Sequence, residues 1–410
     1  MGLDSYARLA RNFFNNGMPT YVILYVTSFC NARCKMCFYM EQILNPDKND
    51  LTLEEIEKVS LSLDRLQQLS LTGGEPYLRK DLPDIVRTFV KNNHVNYITT
   101  PTNAFLPHLV VPSVTRMVSE NPNTFFRVPL SIDAIGDKHD EIRQVKGGFK
   151  KLIETYEKLN ELRKSYKNFV IDVNCAFSGL NEDDAEEVVD FVYQNMNIDN
   201  ISVTYARGNI PDPAARNASI EKYSKLIHNI QNKPRRVDPR TGANMLRGMT
   251  QASWDIIEET LKEDKMVLPC VAGSRLVVIG ETGDVYPCEL LPKKLGNVRE
   301  SNYDMKKILL GDPAEETRKF IHDTDCHCTF ECAVNINVVY NPTQGWPRAA
   351  KKMLEIKTNT LLNAKPAPTG PIALPAMSAA PKANAPIPLK LVGPDGHERQ
   401  ASASQMKPVS

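Results

Sequence analysis

Neither sign of charge is in excess in this sequence: Lys and Arg number 50 against 49 Asp and Glu, a formal net charge of +1 over 410 residues. A nucleic-acid binder needs a basic surplus to displace counterions from the phosphate backbone, so that partner class is not expected. No stretch sustains the roughly 20 apolar residues that span a bilayer, and no transmembrane segment is predicted. The opening residues, MGLDSYARLARNFFNN, lack the apolar core of a secretory signal, which predicts a cytoplasmic protein. No internal repeat is evident. Hydrophobic residues at 42% and charged residues at 24% are ordinary for a globular chain. Cysteine is not ordinary. The nine are Cys30, Cys34, Cys37, Cys175, Cys270, Cys288, Cys326, Cys328 and Cys332, an odd number in clusters. Without an export signal, such clusters read as metal or redox chemistry rather than a disulfide framework.

Between Tyr21 and Arg207 short apolar runs alternate with amphipathic stretches. Strands are predicted at Tyr21–Val26, Gln68–Thr72, Asn96–Thr100, Phe126–Asp133, Phe169–Phe177 and Ile201–Ala206. Helices are predicted between them, one opening on Thr52 with Glu55 three residues on as a capping box. Repeated βα units imply a parallel sheet with helical crossovers. Six such units are too few to close the eight-unit barrel, so the fold class is α/β, an open partial (β/α)6 barrel. Its chemistry belongs at the C-terminal ends of the strands. A polar, helical connector follows over residues 209–264, then a small cysteine-rich domain over 265–350. Residues 1–20 read as an N-terminal extension, 21–208 as the barrel and 351–362 as the end of a helix. The segment 363–410 holds nine of the 28 prolines and no aromatic residue, and is expected to be a disordered tail.

The first strand runs directly into Cys30-Asn-Ala-Arg-Cys34-Lys-Met-Cys37. Three thiolates at this spacing can wrap one iron–sulfur cube within a single loop and leave one iron without a protein ligand. An open position is what a catalytic metal site needs, because a substrate can then bind the metal. The loop resembles the CxxxCxxC hallmark of the radical S-adenosylmethionine (SAM) enzymes. Gly73-Gly74-Glu75-Pro76, 36 residues after Cys37, resembles the GGEP motif of that family. The resemblance implies a [4Fe-4S] cluster whose open iron binds SAM, and reductive cleavage of SAM to a 5′-deoxyadenosyl radical. It implies that Gly73, Gly74, Glu75 and Pro76 hold the methionine amino group, with Asn103 from strand three and Ser131, Asp133 and Arg143 from strand four completing the cofactor contacts. An electron donor such as a flavodoxin or ferredoxin is implied as partner, and an anaerobic setting. The residue before the third cysteine, usually aromatic in the family, is Met36 here; its thioether can also cover an adenine face.

Cys270 and Cys288 embrace Gly283, and Cys326, Cys328 and Cys332 follow. By spacing alone two distant cysteine pairs suit either structural zinc or an iron–sulfur cluster. The pattern resembles the SPASM or shorter twitch extension of radical SAM enzymes, which implies one auxiliary iron–sulfur cluster, a [4Fe-4S] cube. Cys270 and Cys288 are its expected ligands, with two more from Cys326, Cys328 and Cys332. Cys175 reads as a small buried strand residue and His327 as a bystander. Glu289, after Cys288, stands where the anaerobic sulfatase-maturating enzymes carry the acid proposed as their base, and is the candidate catalytic residue. The expected activity is oxidation or cross-linking of an unactivated C–H site on a peptide, a protein or a small polyol-like substrate. The alternatives are carbon–carbon bond formation or group transfer on a lipid or glycan, and a non-catalytic binding module stabilised by zinc or a cluster. The molybdenum-cofactor cyclase branch is ranked low because no terminal Gly-Gly resembles it.

Overall fold

The computed structural model describes residues 18–46, 49–233 and 243–363, together with 368, 372, 374, 390–392 and 398–400. Six strands form the expected parallel series: β1 (Tyr21–Thr27), β2 (Gln68–Gly73), β3 (Tyr97–Thr99), β4 (Phe125–Ser131), β5 (Phe169–Phe177) and β6 (Asn200–Tyr205). Each pairs in parallel with the next. The crossovers carry α1 (Met40–Leu44), α2 (Leu53–Ser62), α3 (Leu82–Asn93), α4 (Pro107–Glu120), α5 (Asp137–Arg143), α6 (Gly148–Leu162) and α7 (Ala185–Asn195). Of these, α1 and α5 were not anticipated; each is short and carries too little periodicity to register in the sequence. The rest of the described chain adds α8 (Ile220–Asn232), α9 (Ala243–Glu263), β7 (Leu276–Ile279), β8 (Asp284–Tyr286), β9 (Gly296–Asn297), α10 (Met305–Leu309), α11 (Asp312–Asp323), α12 (Glu331–Val339) and α13 (Gly345–Asn363).

The cysteine-rich part does not simply follow the barrel. Its first strand, β7, pairs in parallel with β1, Tyr21 opposite Leu276 and Leu24 opposite Ile279. Strands β8 and β9 extend the same sheet antiparallel, giving the order β6-β5-β4-β3-β2-β1-β7-β8-β9. An unpaired β1 would expose a row of backbone donors and acceptors, and β7 covers it. All seven residues of β1 are therefore buried. Val22, Leu24 and Val26 join the core under the crossover helices. Tyr21, Ile23 and Tyr25 point the other way and pack with Leu276, Ile321, Phe330 and Ile336 of the cysteine-rich part. Period-two alternation thus gives β1 two different cores.

The capping box of α2 forms as expected: Thr52 Oγ1 accepts from Glu55 N–H at 3.2 Å, and Glu55 Oε2 accepts from Thr52 N–H at 2.9 Å. Glu55 also accepts from Arg299 Nε at 2.7 Å and from Tyr303 Oη at 2.8 Å, which ties α2 to the segment after β9. The Arg299 hydrogen bond holds the Glu55 carboxyl down at about 2. A depressed carboxylate stabilises the fold above its unfolded value near 4.5, and that contribution is lost as pH falls toward 2. Glu55→Gln is expected to cost about 1–2 kcal/mol at neutral pH, with the difference from wild type shrinking as pH falls from 5 toward 3. Thermal unfolding midpoints across that range check it; a constant difference would show that the ion pair contributes nothing.

Within the segment expected to be a tail, β10 (Lys390–Val392) pairs antiparallel with β11 (Glu398–Gln400), and Ile372 packs against the main core. The other residues of 364–410, save 368 and 374, lie outside the described residues, as do residues 1–17 of the expected N-terminal extension.

Candidate functional site

The loop after β1 is held by backbone bonds on two sides. Arg33 N–H donates to Arg143 O at 3.3 Å and Lys35 N–H to Ile142 O at 3.0 Å, so the loop lies along the end of α5. On its other side Gly74 N–H donates to Thr27 O and Glu75 N–H to Phe29 O, both at 2.8 Å. A Cβ on Gly73 would stand 2.1 Å from Thr27 O, and one on Gly74 2.2 Å from Phe29 O. Only glycine permits this approach, and Gly73 also has φ +143°. Asn103 Nδ2 donates to Asn31 Oδ1 at 2.7 Å, fastening the loop after β3 to the cysteine loop.

Cys30, Cys34 and Cys37 are unpaired thiols on this loop. Burial pushes the Cys37 thiol up to about 12 and raises Cys30 and Cys34 as well. Thiols so desolvated ionise when a bound cation compensates the charge, which couples metal binding to proton release. Among the described residues no three His, Cys, Asp or Glu side chains converge on a single ion. Three thiols on one loop that do not converge on a single ion fit a multi-iron cluster better than a mononuclear metal.

The other expected cofactor residues separate into two groups. Arg143 lines the cavity beside Cys34 and lies within hydrogen-bonding reach of its thiol. Asp133 does not line that cavity: Oδ2 accepts from Arg143 Nε at 2.6 Å and Oδ1 from Ala176 N–H at 2.9 Å. It is fully buried and acts through Arg143, whose guanidinium it orients. Glu75 is likewise turned inward, accepting from Thr102 Oγ1 and Asn103 N–H, each at 2.9 Å. Burial pushes its carboxyl up to about 7, against those donors. Glu75 thus locks the loop after β2 to the loop after β3, and Pro76 opens a 3₁₀ turn behind it. Ser131, the last residue of β4, is half-buried and donates its backbone N–H to Thr102 O.

The five later cysteines divide four to one. Cys288 feels the charges of Cys270 and Cys326, and Cys328 those of Cys270 and Cys288, so these four are neighbours. Cys332 answers instead to Glu289, Arg207 and Glu331, and packs in the same cluster as Tyr21. It opens the first turn of α12 and lines the cavity. His327 is occupied elsewhere, on Asp325 O at 2.8 Å and Asp264 at 3.1 Å. Cys175 is fully buried on β5.

Glu289 sits at the centre of a buried charge group. Its Oε1 accepts from Tyr25 Oη at 2.9 Å, and Oε2 lies 3.5 Å from Arg207 Nη2. Arg207 Nη1 also donates to Glu331 Oε2 at 2.7 Å, and its guanidinium covers the Phe330 ring. Burial raises the carboxyls of Glu289 and Glu331, and Arg207 opposes the shift in both. Arg207 Nε and Glu331 Oε1 have no hydrogen-bond partner among the described residues. Behind them, Tyr25 packs on Tyr39 with ring centroids 4.7 Å apart, and Tyr39 donates to Glu281.

One cavity of about 1230 Å³ joins these parts. Cys34, Met36, Cys37, Phe38 and Arg143 line it together with Arg207, Glu289, Glu331 and Cys332. Sequence reading found Glu289 but missed Tyr25 and Glu331. Tyr25 lies on the inner-facing alternation of β1, and Glu331 directly precedes a cysteine; those are the signals that could have found them.

Comparison with known proteins agrees with this geometry. Residues 24–192 match the model of the radical SAM superfamily, and residues 270–333 that of an iron–sulfur cluster-binding domain, SPASM. The chain is 28% identical over 179 residues to the GTP 3′,8-cyclase of Peptoclostridium acidaminophilum, covering 43% of this chain and 52% of that protein. It is 32% identical over 180 residues to the human molybdenum cofactor biosynthesis protein 1, covering 42% of this chain and 26% of that protein. The match therefore spans about half the length of these curated relatives or less. Among solved structures, Streptococcus suis SuiB bound to S-adenosylmethionine superposes with a TM-score of 0.55 at 17% identity, over 83% of this chain and 78% of that one. The enzyme anSMEcpe, with bound AdoMet and a peptide, gives 0.53 at 19% identity, over 84% of this chain and 98% of that one. At these identities the likeness is one of fold.

Proposed function

Because this chain carries a radical SAM domain followed by a SPASM domain, we propose that it oxidises an unactivated C–H site of a substrate held between its two cysteine groups. The observation that carries this reading is the shared cavity, which Cys34 and Cys37 line together with Glu289, Arg207 and Cys332. When bound, the SAM-ligating cluster and its cosubstrate supply the radical that removes a hydrogen atom, and the auxiliary cluster supplies a sink for the electron left behind. Arg143, oriented by Asp133, offers its planar fork to the cosubstrate carboxylate. Met36 and Phe38 supply apolar surface for an adenine ring. Glu289, held by Tyr25 and Arg207, receives the proton that the substrate must release as it is oxidised.

Anaerobically reconstituted protein is expected to carry about eight irons and to release 5′-deoxyadenosine from SAM under reduction. Its oxidised product should weigh two hydrogens less than the substrate. A product heavier by the mass of a second molecule would replace oxidation by coupling or group transfer, and zinc without SAM cleavage would end the enzyme reading. Cys270, Cys288, Cys326 and Cys328 are the proposed ligands of the auxiliary cluster. Cys328→Ser is therefore expected to lose about four irons, whereas Cys332→Ser keeps the full complement. Iron loss in the Cys332 variant would move that residue into the ligand set.

A further inference from the structure

The cavity has two chemically different linings beyond the cysteine groups. On the inner faces of β3 to β6 it is lined by Thr99, Arg127, Asp172, Asn174, Ser202 and Thr204. Their neighbours along the strands, Ile98, Val128, Val173 and Val203, are fully buried in the outer core. Alternation therefore delivers polar groups from four strands to the cavity, with Phe125, Pro129, Val170 and Ala176 beside them. Two of the polar groups are ionised and neutralise each other: Arg127 donates to Asp172 Oδ2 from Nε at 2.8 Å and from Nη2 at 2.5 Å. Asp172 is 3% exposed, and its Oδ1 has no partner among the described residues; nor has the Thr99 hydroxyl. Arg127 is 37% exposed, leaving its outer donors open. Asn174 Oδ1 accepts from Ser202 Oγ at 3.1 Å and from Thr204 Oγ1 at 2.9 Å. That arrangement aligns two hydroxyls and leaves the Asn174 amide hydrogens to donate elsewhere.

The lining from α9 and α12 is richer in apolar residues, although Arg247, Thr250 and Asn335 also belong to it. Its apolar members include Leu246, Met249 and Trp254 of α9 and Ile336 and Val339 of α12. Leu246 is 40% exposed, an uncovered hydrocarbon surface on the cavity wall.

We propose that the substrate is an uncharged polyhydroxylated ring, a sugar or cyclitol, that carries a hydrocarbon group. This rests on the reading of the site as a radical oxidation centre. Hydroxyls both donate and accept, so a ring polyol can satisfy the mixed groups of the β3–β6 wall without needing an unpaired cation or anion there. The hydrocarbon lies along α9 and α12, where burial removes its surface and that of Leu246 from water.

Titration calorimetry of the reconstituted, SAM-loaded protein with n-hexyl β-D-glucoside, methyl β-D-glucoside, hexanol and a neutral capped hexapeptide tests the assignment. Hexyl glucoside is expected to bind at least about tenfold tighter than any of the other three. Replacing Ser202 by Ala and Thr204 by Val together should weaken hexyl glucoside about tenfold and leave hexanol unchanged. Leu246→Asp, at an exposed position that folding tolerates, should reduce hexyl glucoside to the affinity of methyl glucoside. Tighter binding of the hexapeptide, or hexyl glucoside affinity indifferent to both variants, would overturn the proposal. Measuring 5′-deoxyadenosine in the same preparations separates the two readings. SAM cleavage with no glucoside binding sinks the substrate class alone. Glucoside binding that responds to both variants, with no SAM cleavage, sinks the radical reading and leaves the polyol site standing.

Discussion

Cys34→Ala is expected to reduce 5′-deoxyadenosine formation by about 10³-fold or more. The fold should survive the change, because the loop is held by the backbone of Arg33 and Lys35 against α5 rather than by the Cys34 side chain. With two thiolates left on the loop, about half of the cube's four irons keep a protein ligand, and the site should lose about four irons. The measurement is chromatographic quantitation of 5′-deoxyadenosine alongside iron content and circular dichroism. A variant with native spectrum and full iron that still cleaves SAM would remove Cys34 from the ligand set. The same change at Cys175, buried on β5 among apolar neighbours, should leave both iron content and cleavage intact.

Glu289→Gln should separate radical formation from product formation. The amide is the same size and can still accept from Tyr25 Oη, now at 2.9 Å from Oε1, so the cavity wall is preserved. It cannot take a proton. The yield of oxidised product per 5′-deoxyadenosine is expected to fall about 10²-fold, the usual contribution of a positioned general base. 5′-Deoxyadenosine itself should form at close to the wild-type rate, since Glu289 bonds to Tyr25 and Arg207 rather than to Cys34 or Arg143. An unchanged product ratio would mean that the proton leaves by another route, and would reduce Glu289 to a partner that positions Arg207.

What could be read from the sequence follows from locality. The six strands of the barrel are set by short apolar runs, and their expected ends agree with the structure to within two residues. The Thr52–Glu55 capping box is a contact between residues three apart, so its spacing alone predicts it. The cysteine loop and the Gly73-Gly74 turn were legible for the same reason, each being a compact run with one chemical purpose. Asp133 was legible as a residue at the right strand end but not in its role. The bonds to Arg143 and to the backbone of Ala176 that withdraw it from the cavity join residues 10 and 43 positions away.

The sequence by itself determined the cysteine clusters, the partial barrel and the strand-end placement of its chemistry, because hydrophobic periodicity and ligand spacing are properties of neighbouring residues. Tertiary structure alone decided the rest. It placed β7 against β1, so that the cysteine-rich part completes the barrel sheet instead of hanging from it. It gathered Cys270, Cys288, Cys326 and Cys328 while turning Cys332 toward Tyr21. It also brought Tyr25, Arg207, Glu289 and Glu331, spread over some 300 positions of chain, into one buried group. Such pairings carry no sequence signature, because the free energy that favours them comes from covering a strand edge and compensating buried charge across distant segments.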